Sequence, residues 1–138
     1  MLTILLSSCS SFYAYKTVYT KSQEFDEYVL LYLHYKLKYL QIDTVDYPIV
    51  IEFTSFSGLK LGDCTIKSDK NSTRRIRIDK NYWKMSDDNG KIQLMFHELG
   101  HCDLNWPHQD TELGIMNTKL KKYKITENNL LNFFWEGK

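Results

Sequence analysis

"SDDNGKIQLMFHELGHCDLNWPH", residues 86–108, decides how this chain is read. Ser86, Asp87 and Asp88 offer N-cap oxygens and Pro107 blocks any continuation, so a helix is expected from about Asn89 to Asp103. On that helix His97 and His101 stand four residues apart, on one face and about 6 Å apart in rise. Leu94 shares their face, while Ile92, Met95, Leu99 and Cys102 form a different stripe suited to core packing. Glu98 lies about 100° of rotation further round.

Two imidazoles one turn apart can converge on a single cation. Zinc suits nitrogen ligands in tetrahedral geometry, and a catalytic zinc takes three protein ligands with one position open. His108 is the natural third ligand, seven residues after His101, if the chain reverses. Asn105 tolerates the left-handed conformation that terminates helices, and Pro107 stiffens the return. Glu98 then sits beside the metal, in the general-base position of H-E-x-x-H peptidases. Asp103, Asp110 and Glu112 are rival ligands, Asp110 the strongest, or else acceptors for protons on the ligating rings.

Before this stretch, "SQEFDEYVLLYLHYKLKYLQI" repeats apolar residues at three- and four-residue steps: Phe25, Tyr28, Val29, Tyr32, Leu33, Leu37 and Leu40. A helix is expected there, capped by Ser22, with Glu24, Asp26 and Glu27 at its positive end and Lys36 and Lys38 toward its negative end. His34 lies on it as a structural histidine. "YPIVIEF" predicts a strand over about Ile49 to Phe53, and "TSFSGLKLGDCT" a turn. "RRIRIDKNYW" alternates, Ile76 and Ile78 on one face and Arg75 and Arg77 on the other, as a half-exposed strand does. After Gly114, "TENNLLNFFWEGK" predicts a last helix capped by Thr126, with Leu130, Leu131, Phe133, Phe134 and Trp135 on its buried side.

The 138 residues suit one compact domain with a short appendage. Eighteen basic residues against seventeen acidic leave no global field to attract nucleic acid or an anionic membrane. The basic runs Arg74-Arg75-x-Arg77 and Lys119-x-Lys121-Lys122-x-Lys124 read as solvated faces. The opening "MLTILLSSCS" resembles a truncated lipoprotein signal over residues 1–9, in which Cys9 would be lipidated; the other reading is an ordinary buried terminal segment. The first places the protein in a bacterial cell envelope or outside the cell, the second in the cytoplasm. Residues 10–21 then form a tether or a loose first strand, and 22–138 the domain. If Cys9 carries lipid, Cys64 and Cys102 remain as an even pair, expected to form a disulfide between the segment at 62–66 and the histidine-bearing helix.

The run from His97 to His108, followed by Gly114-Ile115-Met116-Asn117, resembles the metzincin clan of zinc metallopeptidases, nearest to small bacterial or phage-type members. By position His97, His101 and His108 match the clan's ligands, Glu98 its base and Met116 its turn methionine. Leu104 stands where the clan has glycine, His108 comes one residue late, and Thr118 stands where a tyrosine often follows the methionine, with Tyr123 nearby in sequence. The resemblance implies an α+β domain, a twisted mixed sheet packed on an early helix and the active-site helix. It also implies an edge strand just before that helix, to which a peptide could add; "RRIRID" would be that strand, or else an internal strand with no substrate role. The expected function is hydrolysis of peptide bonds in a peptide or protein substrate by a monomeric Zn2+ enzyme. Two alternatives stand beside it: a non-catalytic zinc-binding envelope lipoprotein or adaptor with a ligand such as Asp110 closing the metal, and a zinc amidase acting on cell-wall bonds.

Overall fold

The computed structural model describes residues 17–68 and 72–136; Cys9 and the proposed signal lie outside them. The fold is α+β. Strand β1 (Val18–Thr20) is followed by a 3-10 turn (Gln23–Phe25), helix α1 (Asp26–Leu40), strands β2 (Ile49–Thr54), β3 (Gly62–Thr65) and β4 (Arg74–Asp79), and helices α2 (Lys80–Met85), α3 (Asp88–Cys102) and α4 (Glu127–Glu136). The sheet order is β1-β2-β4-β3. β1 and β4 run parallel to β2 on either side of it, and β3 pairs antiparallel with β4, Cys64 opposite Ile76.

Alternation drives the sheet's inner face. Ile49 and Ile51 of β2 and Ile76 and Ile78 of β4 are all fully buried, as period-two patterning requires. Ser22 accepts from the Glu24 amide to start the 3-10 turn, and α1 then buries Tyr28, Val29, Tyr32 and Leu33 beside Phe25. Leu37 stands off that face, 47% exposed. At one end of the core Phe25, Tyr28 and Phe53 pack around Trp83; at the other Tyr32 meets Phe96, Phe133 and Phe134. On α4 it is Leu130, Phe133 and Phe134 that are buried, whereas Trp135 is exposed.

The structure decides two readings left open by the sequence and corrects others. "RRIRID" is an interior strand, β4, and the edge is β3, inside the segment read as a turn. Val18–Thr20 pair with β2 and belong to the sheet. Asp79 caps a helix that interrupts the expected strand, accepting from the Tyr82 amide, so "KNYWKM" is helical and swings Trp83 into the core. Arg74 is buried, donating to the Cys102 carbonyl and to Asn105 Oδ1 at the end of α3, with its guanidinium 3.7 Å from the centre of the Tyr47 ring.

Lys36, read as a dipole charge, is also buried. Its ammonium donates to Asp103 Oδ2 at 2.7 Å and to the Thr44 carbonyl, and Tyr32 donates to the same carboxylate at 2.6 Å. Burial still raises Asp103 above the usual carboxylate range despite Lys36. This pair fastens α1 to the end of α3. Among the described residues no helix is long and apolar enough to cross a membrane.

Candidate metal centre

Helix α3 starts where Asp87 accepts from the Gly90 amide, and residues 93–100 are buried all round. It is a central helix, with core on one side and a cleft on the other. After Cys102 the chain reverses through Asn105, which takes φ 56°, and the Trp106 amide donates back to the Gly100 carbonyl. The left-handed residue expected at this helix end is in place.

That reversal brings the three imidazoles together. His97 Nε2 lies 3.1 Å from His101 Nε2 and 3.2 Å from His108 Nε2. The Nδ1 of His97 is 2.8 Å from the Ile115 carbonyl and that of His101 is 2.6 Å from the Trp106 carbonyl. A carbonyl can only accept, so each of these Nδ1 atoms carries the proton and each Nε2 presents a lone pair. Three ligands about 2.05 Å from a tetrahedral ion would lie about 3.3 Å apart. Together the three histidines can hold a metal ion. His97 is buried, His101 half-buried and His108 exposed. Burial, with the neighbouring imidazoles, lowers His97 to about 4, keeping that ring neutral and free to ligate.

The rival ligands stand outside this cluster. Asp110 accepts from the Thr118 amide at 2.8 Å and from its hydroxyl, which lowers its pKa. Asp103 is held by Lys36 and Tyr32, and Glu112 is exposed outside the cluster. Tyr123 donates its hydroxyl to the Leu113 carbonyl and does not line the cleft at the histidines.

Met116 packs against α3 at Gly100. A β-carbon on Gly100, between the two helical ligands, would fall 2.6 Å from Met116 Sδ. The turn from Gly114 to Asn117 is closed by the Asn117 amide, and the Met116 carbonyl accepts from the Gln109 amide beside His108. One short segment therefore supports His97 through Ile115, fills the notch at Gly100 through Met116 and anchors the residue after His108.

Glu98 lies at the cleft floor, 3% exposed, with Oε2 lacking a hydrogen-bond partner among the described residues. Burial, reinforced by the Asp63 carboxylate and partly offset by Lys60, pushes its pKa up to about 8. The cleft has a volume of about 730 Å³ and lies between β3 with its preceding loop and the segments carrying His108 and Leu120. Cys64 and Cys102 are joined in a disulfide, Cα atoms 5.6 Å apart, which ties β3 to the end of α3. The carbonyls of Ile115 and Trp106, and Gly62 against Glu98, were not foreseen. Backbone acceptors have no residue signature, and Gly62 alone read as a turn former.

Comparison of the chain with protein-family models, curated proteins and solved structures finds no match.

Proposed function

We propose that the protein is a zinc-dependent peptidase of metzincin-like design. The observation that carries this reading is the convergence of three imidazoles beside a buried carboxylate on the floor of an open cleft. His97, His101 and His108 would hold the ion. A zinc ion held there would supply Lewis acidity, polarising a carbonyl and acidifying a bound water.

Glu98 takes the proton from the attacking water and passes it to the departing amine nitrogen. Its Oε2, without a partner among the described residues, suits a group that must accept and then release a proton. Substrate adds to the edge of β3 that no strand among the described residues covers, its backbone antiparallel to β3. The commitment of Asp110 to Thr118 disfavours the alternative in which that carboxylate would close the metal site. The disulfide favours an oxidising compartment, consistent with an envelope or secreted protein anchored through Cys9.

The test is Glu98→Gln. This variant should bind zinc at the parent's stoichiometry, measured by elemental analysis, and lose hydrolysis of a peptide library that the parent cleaves. Cleavage at the parent's rate would refute the mechanism, and a parent unable to retain zinc would refute the reading as a whole.

A further inference from the structure

The cleft does not stop at the start of β3. A second cavity of about 680 Å³ lies beyond it, and Leu61 and Leu120 line both. Its other walls include Met85 at the end of α2, Gln93 of α3 and the run Lys121 to Lys124. Met85 is 86% exposed, so an apolar contact is on offer there.

The segment carrying these lysines is held in place. Lys121 donates to the carbonyls of Thr111 and Glu112, Tyr123 to that of Leu113, and the Ile125 amide to Asn89 Oδ1. Lys122 and Lys124 are exposed, and neither joins an ion pair among the described residues. Lys119 is likewise exposed at the neighbouring edge of the first cleft. One carboxylate, Asp87, faces them from the opposite wall, and its Oδ1 is engaged by the Gly90 amide. The wall is therefore net positive and backed by an ordered main chain.

Direction follows from β3. That strand runs from Gly62 to Thr65, so a peptide added antiparallel on its free edge leaves over Gly62 toward Leu61 and the second cavity. We propose that the second cavity receives the substrate segment C-terminal to the scissile bond and selects acidic side chains there through Lys122 and Lys124. This rests on the peptidase reading. The substrate class is an extended peptide or unfolded segment with aspartates or glutamates downstream of the cut.

Exposed ion pairs are each weak, so two of them acting together should give about a fivefold to tenfold preference in kcat/KM. The experiment uses the zinc-loaded protein and a quenched fluorogenic peptide library, its C-terminal extension made in Glu-rich, Ser-Gly and Lys-rich versions. The Glu-rich version should be cleaved fastest, with the advantage shrinking as salt is added. The same acidic extension moved to the N-terminal end should give no gain. The double variant Lys122→Glu/Lys124→Glu should reverse the preference, so that the Lys-rich version is cleaved faster than the Glu-rich one. Equal rates for the three versions, or a preference that survives the charge reversal, would overturn this inference and leave the peptidase reading standing. Cleavage of none of them by zinc-loaded protein would overturn both.

Discussion

The carboxylate of Glu98 rests against the bare α-carbon of Gly62: a β-carbon at that position would lie 2.7 Å from Oε1 and 3.1 Å from Cδ. The edge strand thus leaves room for this carboxylate by omitting a side chain. Gly62→Ala should push the carboxylate away from its working position. The expected result is a fall of about tenfold or more in kcat/KM, since small misplacements of a reacting group are costly, with zinc stoichiometry unchanged. Parent-like kinetics would show that Glu98 does not work from this position.

Lys36 and Asp103 form a buried ion pair, each side chain 3% exposed or less. Removing one partner from such a pair strands the other charge at a cost of about 3–5 kcal/mol. Lys36→Met should lower stability by that order in denaturant titration, and the added substitution Asp103→Leu should recover a large part of it. A loss under about 1 kcal/mol for the single variant would mean that water reaches the carboxylate.

The metal-free protein should become less stable as pH rises from about 6.5 to 8. Glu98 has its pKa raised from 4.5 to about 8 in the fold, so across that window the folded chain holds a proton that the unfolded chain has released, and stability falls with pH. His97, lowered from 6.5 to about 4, acts oppositely but mainly below 6.5, where the unfolded chain binds the extra proton. The decline attributable to Glu98 is roughly 2 kcal/mol. Denaturant titrations in chelator at pH 6.5 and 8 measure it. Zinc should flatten the trend, because a cation beside Glu98 favours its charged form, the form able to accept a proton.

The disulfide joins Cys64 to Cys102 across a sequence separation of 38. Loop-closure entropy assigns such a crosslink about 4 kcal/mol. Reduction, or the double variant Cys64→Ser/Cys102→Ser, should therefore lower the thermal midpoint markedly. Equal midpoints with and without a reductant would mean that the two sulfurs are not bonded in solution.

How much of the fold and the site was legible in the sequence depended on whether a residue's role is local. His97 and His101 declare themselves because one helical turn fixes their separation, and Asn105 because few residues accept a left-handed backbone. β3 could not be read: "GDCT" has no apolar alternation, and it is a strand only because β4 lies beside it and Cys102 holds it. The buried roles of Arg74 and Lys36 are likewise tertiary, set by carbonyls and a carboxylate that arrive from elsewhere in the chain. "KNYWKM" is too short to display a helical period and announces itself only through the oxygen of Asp79.

The rings of His97 and His101 are steered by the main chain at 115 and 106, not by side chains. Evolution can therefore exchange the residues at those two positions and still keep both imidazoles in register, since every amino acid brings the same oxygen. What such a lineage must preserve is the path of the backbone. Kinship among proteins built this way would persist in loop geometry long after letter-by-letter resemblance had faded.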